Sequence, residues 1–170
     1  HRLFLATADK RLIAMDARDG RRCAGFGVNG EVNVDTLIKA TFPADGVELT
    51  QLASPPTAIN GVVAVSAFAN KFRSSSSVNG AIRGFDARTG ALRWTFDPPP
   101  IEVGGGNTWV PMSADSERDL LFIPTAAPAP NYWGAHRPGD NRYANSIIAL
   151  RGATGEVVWH FQTLHHDVWD

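Results

Sequence analysis

Two stretches of this 170-residue sequence combine residue types that could do chemistry. The first is Asn107-Thr108-Trp109, which directly follows three glycines, and the second is His165-His166-Asp167, with Asp170 three residues later. A carboxylate can accept the proton of a hydroxyl group, and a tryptophan ring offers a flat apolar face. The second stretch could also bind a metal, but neighbouring side chains on a strand point to opposite faces, so the two histidines would need a bend to share one ion.

Trp109 has two interpretations in the sequence alone. A tryptophan is most often part of the hydrophobic core, because its burial removes a large apolar area from water. The three preceding glycines, however, have no side chains that could pack in a core. Pro111 has no backbone N–H, so it prevents a long hydrogen-bonded strand here. The alternative is therefore an exposed ring that presents one face to a planar ligand.

A second candidate motif, Gly25-Phe26-Gly27-Val28-Asn29-Gly30, matches the dinucleotide pattern G-x-G-x-x-G. That pattern binds a pyrophosphate only between a strand and the N-terminus of a helix. Neither the residues before it nor those after it fit such elements. We interpret it as an ordinary glycine-rich turn.

The elements that must position these residues are predicted by an internal repeat. An apolar run, a five-residue turn ending in glycine and a second apolar run occur three times, with the turn glycines at Gly20, Gly90 and Gly155. Asp86 at the start of the second turn can accept bonds from backbone amides, and the closing glycine can adopt positive φ. The runs are short and rich in β-branched and aromatic residues, so each copy predicts a β-hairpin.

The repeat predicts an all-β chain and, more specifically, about three blades of a β-propeller. Strands are also predicted over residues 62–67 and 120–124. A two-sheet sandwich is the structural alternative, although a sandwich needs no repeated sequence. The spacing leaves room for long loops, and we expect these at Gly46–Pro56, Ser74–Ser77, Pro98–Gly106 and Pro128–Arg142.

Trp94 and Trp159 each follow a turn glycine by four residues. We expect both to pack in the core and to form a repeated docking contact between neighbouring blades. Ala24 occupies the same offset in the first copy, which therefore lacks this contact.

Composition excludes several classes of protein. The net charge of −1 gives no electrostatic surface for nucleic acid. Apolar runs such as Val62–Val65 are far shorter than the roughly 20 residues of a membrane helix. Cys23 is the only cysteine, which excludes an internal disulfide framework. The sequence has no initiator Met, and we expect residues 1–170 to be a partial propeller domain of a longer chain.

Together these segments resemble the quinoprotein dehydrogenases that use pyrroloquinoline quinone (PQQ), and most closely the membrane-bound glucose dehydrogenase group. The resemblance covers nearly the whole chain. It is carried by Ile82–Asp86 through Trp94, Asn107–Pro111, Pro128–Gly134 and, most specifically, Trp159–Asp170.

The resemblance implies an eight-bladed propeller in which PQQ lies in the central funnel beside a divalent cation, Ca or Mg. Trp109 matches the tryptophan on which the quinone stacks, and Thr108 and Asp167 are expected in the same cofactor site. Asp170 matches the catalytic base, which takes the substrate's hydroxyl proton during hydride transfer to the quinone.

Two positions depart from the family's metal site. Ala127 aligns with the position at which the family often has a metal-binding asparagine, although some glucose dehydrogenases also differ there. Asn70 aligns with the family's acidic ligand. Alanine offers a cation no side-chain oxygen and Asn70 offers a neutral one. A one-residue shift of the alignment would place Lys71 there, and we hypothesise that its ammonium group partly replaces the missing cation beside the quinone.

The resulting functional prediction is PQQ-dependent oxidation of an aldose, with glucose first, at its C1 hydroxyl to the lactone. The resemblance also implies ubiquinone as electron acceptor, action at the periplasmic face of the inner membrane, and membrane attachment only through parts outside this chain. The alternatives are a PQQ-dependent alcohol or polyol dehydrogenase, and a non-catalytic propeller scaffold that has lost the metal site.

Overall fold

The computed structural model of the chain describes residues 1–37, 50–52, 54–69, 80–98, 106–130 and 132–168. The described elements are twelve strands and two 3-10 turns, Asp35–Leu37 and Gly134–His136. The strands are β1 Arg2–Ala6, β2 Arg11–Asp16, β3 Glu31–Asn33, β4 Thr50–Leu52, β5 Thr57–Ile59, β6 Val62–Ala69, β7 Ile82–Asp86, β8 Leu92–Phe96, β9 Ser113–Asp115, β10 Leu120–Pro124, β11 Ser146–Arg151 and β12 Val157–Gln162.

These strands form three antiparallel sheets that follow one another along the chain, as the propeller prediction requires. The first sheet has the order β1-β2-β3, the second β4-β6-β7-β8 with β5 also paired to β6, and the third β12-β11-β10-β9. Each sheet is a blade built from consecutive strands, so the all-β class and the propeller fold are confirmed.

In the first copy of the repeat, the predicted hairpin is reduced to an isolated bridge between Met15 and Arg22. The other two predicted hairpins are β7–β8 and β11–β12. Both have a register shift, between Gly84 and Phe85 in one and between Ala149 and Leu150 in the other. Gly90 and Gly155 close the turns with φ of +76° and +74°, values that L side chains rarely adopt. The type of turn that the repeat predicts is therefore the one that forms.

Asp86 organises the turn of the second blade. Its Oδ1 accepts hydrogen bonds from the backbone amides of Arg88, at 3.0 Å, and Thr89, at 2.8 Å. Its Oδ2 forms an ion pair of 2.6 Å with Nη2 of Arg93. The Thr89 amide, followed by the Arg93 guanidinium, holds the pKa of Asp86 well below its usual range.

The core lies between the blades, because both faces of the second sheet are covered. Along β6, Val62 and Ala64 pack with the third blade, whereas Val63, Val65 and Ala67 pack with the first. Alternate residues of a strand face opposite sides, so burial of both faces requires an apolar residue at nearly every position. This explains the continuous apolar run at residues 62–65.

The outermost strand of the first blade is interrupted by the glycine-rich motif. Arg22 forms a β-bridge with Met15, and pairing to β2 resumes only at β3. Phe26 in the intervening loop is fully buried, and Gly30 has φ of +88°. A strand rather than a helix follows the motif, so the interpretation as an ordinary turn is confirmed.

Trp94 forms the predicted docking contact between the second and third blades. Its Nε1–H donates to the carbonyl oxygen of Gly152 at 3.0 Å, and the side chain is buried. Gly152 belongs to the turn between β11 and β12, so a ring on one blade is fixed to the turn of the next.

The first junction uses a different side chain at the equivalent carbonyl. Nη1 of Arg2 donates to the oxygens of Ala87 at 2.8 Å and Arg88 at 2.7 Å. Ala87 follows Asp86 as Gly152 follows Arg151, so it occupies the same position in its turn. The backbone amide of Gly27 adds a bond of 2.8 Å to Thr89. Arg2 therefore replaces the tryptophan that the first copy lacks.

Trp159 is 44% exposed, because β12 is the edge strand of the third sheet and no described blade covers its outer face. Its packing against a neighbouring blade therefore stays a prediction. Of the predicted loops, Pro128–Arg142 is described apart from residue 131. Ser74–Ser77 and most of Pro98–Gly106 lie outside the described residues. Within Gly46–Pro56, residues 50–52 and 54–56 are described, and Thr50–Leu52 form strand β4 instead of a loop, so the prediction is wrong there.

Candidate cofactor and substrate site

A series of hydrogen bonds crosses one end of the third blade and joins the two stretches singled out in the sequence. The Ala126 amide donates to Asn107 at 3.1 Å, the Asn145 amide to Ala126 at 3.1 Å, and the Thr163 amide to Asn145 at 2.8 Å. The side chain of Asn145 then donates through Nδ2 to Oδ2 of Asp167 at 2.9 Å. Residues 107 and 167, far apart in sequence, are thus held at the same end of one sheet.

The segment around Thr108 is wedged between the second and third blades. The Thr108 amide donates to Oγ of Ser66 in β6 at 3.3 Å, and its hydroxyl donates to the carbonyl of Pro124 in β10 at 2.7 Å. Ser54 Oγ donates to the carbonyl of Val110 at 2.9 Å. Because Thr108 is fully buried and its hydroxyl proton is used, its side chain can offer a ligand only an acceptor lone pair.

Trp109 projects from this anchored segment into solvent. Its side chain is 57% exposed, so the core interpretation is wrong and the exposed one is right. The backbone on both sides of it is bonded to the blades, which leaves a large flat ring on a fixed base. Such a ring can stack against a planar molecule.

Asn107, two residues before Trp109, is fully buried, and neither its Nδ2 nor its Oδ1 has a hydrogen-bond partner within the described chain. A Cβ on Gly80 would overlap the Cα and Cβ of Asn107, so the backbones there are in close contact. An unpaired buried amide costs about 1–3 kcal/mol, and such groups occur where a water or a ligand supplies the missing bond.

The second stretch is folded against the loop that precedes β11. Asp167 is buried, with Asn145 as one of its hydrogen-bond partners. Both ring nitrogens of His166 contact backbone carbonyls of the loop, Nδ1 to Gly139 at 2.6 Å and Nε2 to Gly134 at 3.1 Å. The imidazole therefore braces backbone instead of facing a metal ion.

Three of the predicted site residues, Asn70, Lys71 and Asp170, lie outside the described residues. The structure thus brings Trp109, Thr108 and Asp167 to one end of the third blade and leaves the predicted base and metal ligand as predictions. Ala127 is buried in this region. Among the described residues, no group of three or more His, Cys, Asp or Glu side chains is placed to bind a metal.

Several residues of the site have no signal in the sequence. Asn145 positions both Thr163 and Asp167, and Arg137 is fully buried within the loop that contacts His166. Positive φ at Asn145, +45°, is compatible with its residue type but does not reveal a binding role. Its contacts are 18 and 22 residues away, and only the folded chain brings them together.

The exposed ring and the unpaired amide suit a planar ligand with polar edge atoms, such as PQQ. Trp109 supplies an exposed aromatic face, and Asn107, two residues away, supplies an unpaired NH2 group as donor and an unpaired carbonyl oxygen as acceptor. The carboxylate of Asp167, at the same end of the blade, accepts a hydrogen bond from Asn145. None of the helices in the described residues is long and apolar enough to cross a membrane.

Known proteins resemble this chain along nearly its whole length. All of residues 1–170 match the family model described as the β-propeller domain of PQQ-dependent glucose, ethanol and alcohol dehydrogenases. Over 99% of its length the chain is 35% identical to quinoprotein glucose dehydrogenase A of Acinetobacter calcoaceticus, of which it covers 22%. It is 34% identical over its whole length to the glycerol dehydrogenase large subunit of Gluconobacter oxydans and covers 24% of that protein.

A solved structure shows the same fold. The quinohemoprotein alcohol dehydrogenase ADHIIG of Pseudomonas putida superposes with a TM-score of 0.78 at 26% identity. The match covers 99% of this chain and 26% of that protein. The chain therefore spans about a quarter or less of the relatives it matches.

Proposed function

Because this chain belongs to the family of PQQ-dependent glucose, ethanol and alcohol dehydrogenases, we propose that the protein containing it oxidises the C1 hydroxyl of an aldose to the lactone, with glucose as the first substrate. Similarity to a glucose dehydrogenase over 99% of the chain supports this choice of substrate. Bound PQQ supplies the two-electron acceptor for this oxidation.

The observation that carries the proposal is the exposed ring of Trp109 on an anchored backbone, at the same blade end as Asp167. In this proposal Trp109 is the surface on which the cofactor lies. Thr108 holds the Trp109 backbone against both neighbouring blades. The Asn107 amide gains hydrogen bonds on cofactor loading, either directly or through water.

Asp170 is the proposed base. It takes the proton of the C1 hydroxyl while the hydrogen on C1 leaves as a hydride. The C1–O bond then becomes the carbonyl of the lactone. Electrons then pass to ubiquinone at the periplasmic face of the inner membrane.

We also propose that a divalent cation, Ca or Mg, lies beside the cofactor and that Asn70 is among its ligands.

Two other functions have specific support. Similarity to a glycerol dehydrogenase subunit and to an alcohol dehydrogenase favours a polyol or alcohol as substrate. The buried Ala127, which offers no side-chain oxygen, favours a scaffold that has lost its cation.

Reduction of an artificial dye by the full-length gene product tests these functions. The assay compares glucose, glycerol and ethanol after addition of PQQ, with Ca or Mg and then with a chelator. We expect glucose oxidation that needs both cofactor and cation. Faster oxidation of glycerol or ethanol would assign the substrate to those classes. Absence of turnover together with absence of PQQ binding by fluorescence quenching would indicate the scaffold.

A further inference from the structure

The glycine-rich motif of the first blade contains a tight turn made of asparagine and glycine. Val28 and Glu31 exchange two backbone hydrogen bonds, of 2.8 and 3.2 Å, around Asn29 and Gly30. The two central residues have φ of +53° and +88°, and positive φ at both is the property of a type I′ turn, which favours Asn-Gly. Neither residue has a part in the proposed cofactor site.

The same kind of turn occurs a second time, between β5 and β6. Ile59 pairs with Val62, and the residues between them, Asn60 and Gly61, have φ of +42° and +79°. The asparagine is exposed in both turns. The two turns thus share their residue types, the sign of φ and their exposure, so each can serve as the reference for the other.

The two turns differ in what binds the asparagine amide. Nδ2 of Asn60 donates to the carbonyl oxygen of Ser116 at 3.0 Å and to Oδ1 of Asp119 at 2.9 Å. Both of its protons are therefore used, and the amide is fastened to the third blade. Within the described part of the chain, the side chain of Asn29 has no hydrogen-bond partner. Rotation of its amide consequently breaks no bond.

An asparagine that is followed by glycine can lose its amide group without an enzyme. The backbone nitrogen of the glycine bonds to Cγ, the bond from Cγ to Nδ2 breaks, and the proton of the attacking nitrogen leaves with Nδ2 as ammonia. Water then opens the five-membered imide to aspartate or to isoaspartate, which has one extra methylene group in the main chain. Glycine hinders this attack least, because it has no Cβ.

We propose that Asn29 is a site of spontaneous deamidation and that Asn60 is protected by its two hydrogen bonds. Both bonds must break before the Asn60 amide can turn towards the next nitrogen, so Asn29 reacts at least about fivefold faster. Water is the only co-reactant, and the modification needs neither cofactor nor substrate. The inference therefore does not depend on the proposed function.

The position of Asn29 gives this modification a structural consequence. The nearby Gly27 amide donates to the carbonyl of Thr89 at 2.8 Å, and a Cβ on Gly90 would lie 2.9 Å from the nitrogen of Gly27. The segment that contains Asn29 is thus part of the surface against which the turn of the second blade packs. An extra methylene group in the main chain at position 29 shifts this segment and loosens the junction between the two blades.

Peptide mapping by mass spectrometry measures deamidation at each asparagine when the full-length protein is incubated at mildly alkaline pH. The same incubation in urea gives the rates of the unfolded chain, in which Asn29 and Asn60 should react alike. In the folded protein we expect Asn29 to react at least about fivefold faster. Asp119→Gly removes one acceptor of the Asn60 amide, suits the positive φ at that position, and should raise the rate at Asn60 alone.

Hydrogen exchange after the incubation tests the structural consequence. Asn29→Gly is the matched control, because glycine accepts positive φ and cannot deamidate. We expect faster exchange at residues 26–32 and 86–90 in the incubated wild type and no change in incubated Asn29→Gly. Asn29→Asp adds the charge without the extra methylene group, and it should exchange like the fresh wild type.

Equal rates at Asn29 and Asn60 in the folded protein would overturn the inference. A difference of the same size in urea would also overturn it, because the cause would then be local sequence. An equal acceleration at both asparagines in Asp119→Gly would indicate an unfolded variant, and the comparison within the wild type then decides. Unchanged exchange in deamidated wild type would overturn the structural consequence. A protein without PQQ-dependent turnover would overturn the proposed function and leave these rates unaffected.

Discussion

Gly84 lies directly beneath the indole of Trp94, so closely that a Cβ at position 84 would overlap Cε2 and Nε1 of the ring. The two residues face each other across the β7–β8 pair, immediately before its register shift. The absence of a side chain at 84 allows the ring to lie flat on its own blade while its N–H reaches the next one. The junction between the second and third blades therefore depends on a glycine as much as on a tryptophan.

Gly84→Ala is predicted to destabilise the protein by about 1–3 kcal/mol, because the added methyl group displaces the ring from its site. In a Trp94→Ala background the same change should cost little, since the group it would clash with is gone. Urea unfolding of the two single variants and the double variant measures this coupling. Additive costs would show that Gly84 acts independently of Trp94.

Arg2→Met is predicted to reduce stability by about 1 kcal/mol, because the carbonyls of Ala87 and Arg88 lose a shared donor while the aliphatic part of the side chain is kept. Arg21→Met is the control, since Arg21 is almost fully exposed and its nearest carboxylate oxygen is 3.7 Å away. The shift in unfolding midpoint should be clear for position 2 and small for position 21. Equal shifts would contradict the role assigned to Arg2.

Asp86→Asn tests the electrostatics of the second turn through the pH dependence of stability. The pKa of Asp86 is lower in the folded chain than its ordinary value of 3.8. Its carboxylate therefore stabilises the fold at pH values above the pKa that Asp86 has in the unfolded chain. This contribution is lost as the pH falls through the lower pKa of the folded chain. We expect the difference in melting temperature between wild type and Asp86→Asn to be largest above about pH 5 and to shrink below 3.8. Asp19→Asn, at an exposed turn position, is the comparison, and a difference that stays constant with pH would contradict the prediction.

Trp109→Ala and Asp170→Asn should separate cofactor binding from proton transfer. Removal of the exposed ring is predicted to weaken PQQ binding by at least about tenfold, since a stacked aromatic pair contributes about 0.5–1.5 kcal/mol beyond the apolar area it buries. Asp170→Asn should bind PQQ like wild type and lose turnover. Titration of PQQ by fluorescence quenching, alongside steady-state kinetics, measures both effects. Retained turnover in Asp170→Asn would place the base elsewhere.

Lys71→Ala tests whether an ammonium group partly replaces the cation. If it does, the wild type retains part of its activity in chelator, and the alanine variant loses that part. Lys71→Arg keeps the charge and should behave like wild type. Equal activity of Lys71→Ala with and without chelator would exclude this role.

The features that could be predicted from the sequence are those set by local chemistry. The turn at Asp86 and Gly90 depends on a carboxylate that accepts nearby amides and a glycine at positive φ, and both are visible in the residues themselves. The exposure of Trp109 was not decided by the sequence, because it depends on how Ser66 and Pro124 hold Thr108 on one side of it and Ser54 holds Val110 on the other. The roles of His166 and Arg2 were also hidden, since their partners are backbone carbonyls, which any residue type provides.

The two described blade junctions use chemically different donors for the same carbonyl of the turn, an indole N–H at Gly152 and a guanidinium at Ala87. A turn of this kind thus accepts more than one partner, but each partner belongs to the preceding blade. For protein engineering, the transferable module is a sheet together with the donor that reaches its turn, so a chimera divided between two sheets would separate the donor of that junction from its acceptor. A crossover within the second blade, after Gly90 and before Trp94, would keep both described pairs intact.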